Sequence, residues 1–358
     1  MAGLTPYQPG KPVEDVQREL GLRRVVKLAS NEGPFPPFPA ALEAMERASL
    51  ELNRYPDGGA FRLHEALAAR HGVAFEEVCA GAGADGCIDM LSQALLDPGD
   101  EVVCGWPSFP SYVIYARKQG AEPRTVPLRD NRYDLDALLA AITPRTKIVY
   151  VCLPNNPTGT TNTRAELDAF LAAVPDGPLV VVDQAYFEYI AAADYPDVVE
   201  EHVKRGRRVV VLRTFSKIYG LAGLRVGYAV GPRDVCAAMA KVRRPFDLTT
   251  TAQVAALASI GDDAEIANRR ALNAEGLALL AATLREHGLE PADGAVGNFL
   301  YVDTGEDAQP LFQRLLHEGV IVRPLQGFGA PTAIRISVGT PDENAFFAAA
   351  LGRVLAPA

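Results

Sequence analysis

The chain has 358 residues, more than one core is expected to hold, because single cores stop growing near ~250–300 residues. Its net charge of −9 argues against a nucleic-acid partner, and any anionic ligand has to be held by local cations against the overall field. No apolar run approaches the ~20 residues of a bilayer span and no charged-then-apolar leader opens the sequence, so a cytoplasmic protein without a membrane partner is expected.

In chain order, MAGLTPYQPGKP is rich in Pro and Gly and reads as irregular, with Tyr7 as its one large polar aromatic. VEDVQRELGL reads as a short helix, VVKLAS as extended chain, and the four prolines of NEGPFPPFP exclude regular structure. Residues 39–52 form an amphipathic helix and NRYPDGG a turn. FRLHEALAARHGV is a further helix, with Gly72 as its C-cap.

From residue 78 strands and helices alternate. EVCAGAG leads into the helix CIDMLSQALL, and DEVVCGWP into a helix around SYVIYARKQG. The strand TVPL and the helix LDALLAAI follow. KIVYVCLPNNPTG then precedes the helix RAELDAFLAAV, and the last strands are PLVVVDQAY, RVVVLRTFSK and GLRVGYAVG. Strands nearly continuous in Val, Ile and Leu are covered on both faces. The pattern predicts an α/β fold with a mainly parallel sheet sandwiched by helices. Past about residue 245, Ala-rich helices lead into the short strands GNFLYVDT, GVIVRPL and AIRISVG and a closing helix NAFFAAALGRVL, which reads as a smaller α+β domain. The expected division is an N-terminal arm and part of the small domain over 1–30, a large cofactor-binding domain over 31–245 and a small domain over 246–358.

Five widely spaced cysteines without a CxxC pair suit small buried residues better than disulfides or zinc ligands. His64 and His71, seven apart on one helix, read as a solvated face, and no metal site is expected. GxSxG, HExxH and Walker motifs are absent from the sequence.

In an open parallel sheet, ligands sit beyond the carboxyl ends of the strands. GAGADG, at such an end, offers helix N-terminal N–H groups to a phosphate. It also matches GxGxxG, but the acidic residues that a nicotinamide dinucleotide would need, Asp100 and Glu101, precede the next strand instead of ending it. In WPSFPSY, Phe109 is placed to lie against an aromatic ring, while Trp106 and Tyr112 read as packing. Asn156 and Asp183 end two further strands, and Tyr186 lies three residues past Asp183. A carboxylate at that depth needs a cation, and no Lys or Arg is near it in sequence. A phosphate, a protonated ring nitrogen, a ring hydroxyl and an aromatic face together describe pyridoxal 5'-phosphate, whose aldehyde requires a lysine. Lys217 in RTFSKIYGLAGLR is the candidate, since apolar neighbours favour a neutral amine. Arg225 is then the phosphate's cation, with Ser216 and Thr214 as hydroxyl donors.

With these motifs in this order, the chain resembles the fold-type I pyridoxal-phosphate aminotransferases, and among them the histidinol-phosphate aminotransferase family. YQPGKP, LASNE, NRYPD, GAGAD, NNPTGT, DQAY, TFSKIYGLAGLRVGY, GNFLYVD, GVIVRPL and RISVGTPDEN carry the resemblance. It implies an aspartate-aminotransferase-like fold and a transaminase of histidine biosynthesis that takes an amino donor and a 2-oxo acid, L-histidinol phosphate and 2-oxoglutarate first. Aromatic amino-acid transamination, phosphothreonine decarboxylation and, from outside the family, a nicotinamide-dependent oxidoreductase or a non-catalytic cofactor-binding regulator are the alternatives. By resemblance, Lys217 bonds the cofactor and moves the substrate proton. Asp183 keeps the ring nitrogen protonated, Asn156 and Tyr186 hold the ring oxygen, and Phe109 stacks. Ala84, Asp85, Ser216 and Arg225 match phosphate-binding positions. Tyr55 matches a tyrosine that reaches the neighbouring subunit's cofactor, which implies a homodimer with shared active sites. Tyr7, Asn31, Arg323 and Arg335 match the substrate side. Gly33 and Gly86 depart from the family pattern.

Overall fold

A computed structural model of the chain describes residues 10–356. The N-terminal strand β1 (Val26–Lys27) is followed by seven strands that form one sheet: β2 (Val78–Gly81), β3 (Glu101–Trp106), β4 (Glu122–Pro127), β5 (Thr146–Cys152), β6 (Leu179–Asp183), β7 (Val209–Thr214) and β8 (Gly227–Val230). The last strands are β9 (Phe299–Asp303), β10 (Val320–Ile321), β11 (Arg323–Pro324) and β12 (Ala333–Ser337).

The seven-stranded sheet has the order β2-β8-β7-β6-β5-β3-β4. Neighbours pair in parallel except at β8, which is antiparallel to both β2 and β7. Strands β5, β6 and β7 are buried along nearly their whole length, as expected of strands covered on both faces. The mainly parallel α/β layer predicted from the valine-rich runs is therefore observed, with β8 as the reversed member.

Some elements differ from the sequence reading. The helix expected to start at Cys87 begins at Gly83 and runs to Leu95, because Gly83, at φ +76°, turns the chain straight out of β2. Helices Arg233–Val242 and Gln309–His317 carry no prediction above. His64 is buried and His71 half-buried, so neither belongs to a fully solvated face. His64 Nε2 accepts the Ala80 N–H at 3.0 Å, and His71 Nε2 lies 2.9 Å from the Tyr228 hydroxyl. Burial lowers both, His64 to about 4 and His71 to about 3. All five cysteines are buried and unpaired.

Two main hydrophobic cores are present. The larger surrounds the seven-stranded sheet and takes in Phe38, Leu63 and also Ala252, Ala255, Ala256 and Ile266. The smaller gathers Val16, Val26, Leu28 and Ala29 with Leu280, Leu300, Ile334 and Phe347. The helix Asp263–Glu286 contributes to both. Strand β1 pairs in parallel with β10, so the segment from Val16 to Ala29 belongs to the smaller core and the chain leaves it just before Asn31. No helix among the described residues is long and apolar enough to cross a membrane.

Candidate active site

The carboxyl ends of β5, β6 and β7 open into a cleft of about 710 Å³, part of it open to solvent. Thirteen positions singled out from the sequence can be traced in the described residues and Tyr55 makes a fourteenth; eleven of them, Asn31, Ala84, Asp85, Phe109, Asn156, Asp183, Tyr186, Thr214, Ser216, Lys217 and Arg225, line this cleft, and Arg335 joins them from β12.

Strand β6 ends on Asp183, which is buried beneath the cleft. Its Oδ2 accepts the Tyr112 hydroxyl at 2.7 Å and its Oδ1 accepts the Ala185 N–H at 3.0 Å. Among the described residues no Lys, Arg or His nitrogen reaches salt-bridge distance of it. Desolvation raises its pKa, and these two donors offset only part of that effect. Such a carboxylate is an acceptor suited to a cation that the described residues do not provide at that distance. Tyr112 is thus more than the packing residue read from the sequence: its distant partner gave no local signal.

Lys217 follows β7 by three residues. Its Nζ donates to the Asn31 carbonyl at 3.0 Å and lies 5.4 Å from the centre of the Tyr186 ring. Burial first, and the Arg335 guanidinium second, bring the amine down to about 7. A lysine in this state is available as a nucleophile and base near neutrality.

Arg225 precedes β8, and the reversal of β8 explains its place. An antiparallel strand starts at the edge where its parallel neighbours finish, so one connection delivers both Lys217 and Arg225 to the cleft. Arg225 Nη1 donates to Ser216 Oγ at 3.3 Å, and Thr214 Oγ1 donates to Ser216 Oγ at 3.0 Å. Two glycines let the helix Gly83–Leu95 start against this group. A Cβ on Gly83 would lie 2.6 Å from Arg225 Nη2, and one on Gly227 would lie 2.5 Å from the Ala84 nitrogen. First-turn N–H groups, two hydroxyls and a guanidinium converge here, a donor set that fits a phosphate. The Asp85 carboxylate is engaged elsewhere, by Ser111 at 2.5 Å and Tyr115 at 2.8 Å.

The opposite wall comes from the smaller core. Arg335 donates to Asn156 Oδ1, and its Nη2 donates to the Ala29 carbonyl at 2.8 Å. Across the sheet Arg323 pairs in register with Arg335, and each guanidinium carbon sits 5.5 Å from the Phe328 ring centre. Arg323 is buried but does not line the cleft; Phe328, Ser30, Cys152 and Ala185, all unassigned from the sequence, do.

Asn31, at φ +51°, joins both walls. Its Nδ2 donates to the Tyr186 hydroxyl at 3.0 Å, while Ser337 Oγ lies 2.9 Å from its N–H and 3.0 Å from its Oδ1. Gly33 has a steric reason: a Cβ there would lie 2.6 Å from the Lys217 carbonyl oxygen. At Gly86 a Cβ would meet the Ala82 Cβ at 3.2 Å. Tyr55 is exposed and stacked on Phe246, 4.4 Å between ring centres, away from the cleft of its own chain. Tyr7 lies outside the described residues.

The residues present fit pyridoxal phosphate. A lysine of low proton affinity, a buried carboxylate awaiting a cation and a phosphate cradle border one cleft, with Phe109 beside them.

The model of the aminotransferase class I and II family matches residues 23–351. A histidinol-phosphate aminotransferase of Moorella thermoacetica is 46% identical over 99% of this chain and 91% of its own length. One of Akkermansia muciniphila is 47% identical over 96% of this chain and 94% of its own. The crystal structure of the histidinol-phosphate aminotransferase from Sinorhizobium meliloti in complex with pyridoxal-5'-phosphate superposes with a TM-score of 0.88 at 29% identity, covering 99% of this chain and 98% of that one. Likeness over the whole length, in sequence and in fold, places this chain in the class I and II aminotransferase family, beside the histidinol-phosphate aminotransferases.

Proposed function

We propose that the chain is a pyridoxal-phosphate-dependent transaminase that moves the amino group of L-histidinol phosphate to 2-oxoglutarate, giving imidazole-acetol phosphate and L-glutamate. The observation that carries the reading is the meeting, in one cleft, of a lysine lowered to about 7 with the buried carboxylate of Asp183, which makes no ion pair among the described residues. When bound, the cofactor supplies an aldehyde carbon for amine exchange and an electron-withdrawing ring.

The chain's own residues then divide the work. Lys217 Nζ would take the proton from the Cα of the amino donor and, in the second half of the exchange, deliver one to the Cα of the 2-oxo acid, transfers that need an amine neutral near the working pH. Asp183 would keep the ring nitrogen of the bound cofactor protonated. Asn156 and Tyr186 would bind the ring hydroxyl, and Phe109 would pack against the ring. Thr214, Ser216, Arg225 and the N–H groups of Ala84 and Asp85 bind the phosphate. Arg335, with Arg323 behind it, takes the anionic groups of the substrates, and Asn31 orients Tyr186. Tyr7 belongs to the substrate side.

A homodimer with shared sites is part of the reading. The exposed Tyr55 ring, unused by its own cleft, serves the cofactor phosphate of a second copy. Five buried, unpaired cysteines accord with a cytoplasmic enzyme.

Steady-state kinetics with histidinol phosphate beside phenylalanine test the substrate. The expected result is the higher kcat/KM for histidinol phosphate. A preference for phenylalanine above about tenfold, ~1.4 kcal/mol, overturns it in favour of an aromatic aminotransferase. A colourless protein that binds a nicotinamide cofactor overturns the chemistry.

A further inference from the structure

The helix Ser111–Lys118 supports the cleft from behind at three points. Tyr112, fully buried in its first turn, donates to Asp183 Oδ2 at 2.7 Å. The same ring stacks on Tyr150, 4.3 Å between centres at 11°, and meets Phe109 edge-on at 5.7 Å and 81°. On either side, Ser111 and Tyr115 hold the two oxygens of Asp85.

We propose that this helix is the positioning element of the cofactor site and that Tyr112 is its central positioning residue, fixing Asp183 through its hydroxyl and Phe109 through its ring. The inference rests on the pyridoxal-phosphate reading above. A carboxylate turns freely about its last bond unless both oxygens are held. Here Ala185 holds one and Tyr112 the other.

The tyrosine hydroxyl also favours the charged carboxylate. Burial drives the phenol's own pKa upward, so it stays a donor. The other titratable groups felt at or by Asp183 are Lys217, which favours its charge, Asp85, which opposes it, and the neutral Tyr150, Cys152, Tyr186 and Cys87. Without the Tyr112 hydroxyl the carboxylate keeps a single donor and its proton affinity rises. With pyridoxal phosphate bound, Asp183 would then compete more strongly for the proton of the ring nitrogen. At the other end, the hydroxyls of Ser111 and Tyr115 keep the Asp85 carboxylate engaged while its N–H stays in the first helical turn beside Arg225.

The test compares full-length wild type with Tyr112→Phe, which keeps the ring contacts, and with Tyr150→Phe, which removes a hydroxyl that makes no hydrogen bond to Asp183. Four readouts are taken: pyridoxal phosphate affinity by visible absorbance, the Asp183 carboxyl pKa in cofactor-free protein by carbon-13 NMR assigned with Asp183→Asn, steady-state kinetics of the holoenzyme, and the melting temperature. The proposal expects Tyr112→Phe to bind the cofactor about tenfold more weakly, to raise the Asp183 pKa, and to lower kcat with little change in KM. Tyr150→Phe should stay at wild-type values. Tyr112→Phe matching Tyr150→Phe in affinity and carboxyl pKa would falsify it, as would a fall in melting temperature alone. Failure of wild type to take up pyridoxal phosphate sinks the cofactor reading instead, while the carboxyl measurement still decides the role of Tyr112.

Discussion

At the floor of the cleft, Asn156, Asp183, Thr214 and Lys217 lie at or just past the ends of neighbouring strands of one sheet. The wall opposite joins Asn31 to Ser337, 306 positions away in the chain, and Arg335 to Asn156, 179 positions away. The floor is held by one cooperative sheet with its helices, so its geometry is set once the large core folds. The wall depends on contacts between two cores. Chemistry is therefore lodged in the rigid part, and recognition in the part whose geometry depends on how the two cores meet.

Three measurements would break or sharpen that contrast. The largest effect belongs to the floor. Lys217→Ala should lower kcat by about four orders of magnitude with near-wild-type melting, and retention of more than a tenth of wild-type kcat would remove the lysine from the chemistry. Next comes the wall. Arg335→Lys keeps the charge but loses the planar fork, so KM for the anionic substrate should rise ~10–100-fold, as loss of one charge-assisted hydrogen bond implies. A variant whose kcat falls with KM unchanged would place Arg335 on the floor side of the comparison.

The smallest effect is on stability. In the folded, cofactor-free protein Lys217 titrates at about 7, against ~10.4 in an unfolded chain. Between those values the unfolded chain binds more protons, so stability rises with pH there. Below about 7 the lysine's unfavourable contribution is complete and constant. Lys217→Met should accordingly melt a few degrees above cofactor-free wild type near neutrality, with the gap closing toward pH ~10. A gap that does not vary with pH would mean that the lysine titrates normally.

The contrast also explains what could be read from the amino-acid order. Residues of the floor stand beside the buried strands that position them, so VVVDQAY and VVVLRTFSK announce both fold and site. The hydroxyl of Tyr112 and the missing side chain of Gly33 answer to Asp183 and to the Lys217 carbonyl, partners 71 residues away in one case and 2.6 Å from a virtual Cβ in the other. Neither relation leaves a periodic trace. The histidines misled for a related reason. Their helix spacing fits a polar stripe, whereas Ala80 receives buried His64 and Tyr228 receives half-buried His71.

Strand β1 lies in the smaller core, yet four residues later the chain is at Asn31, whose carbonyl receives Lys217. So short a span leaves little slack. A rotation of the smaller core on its neighbour would pull on the carbonyl that holds the reactive amine, and the crossing would act as a mechanical link. Arrival of a substrate at Arg335 would then be felt at Lys217 through the polypeptide itself, before any electrostatic effect of the bound anion is counted.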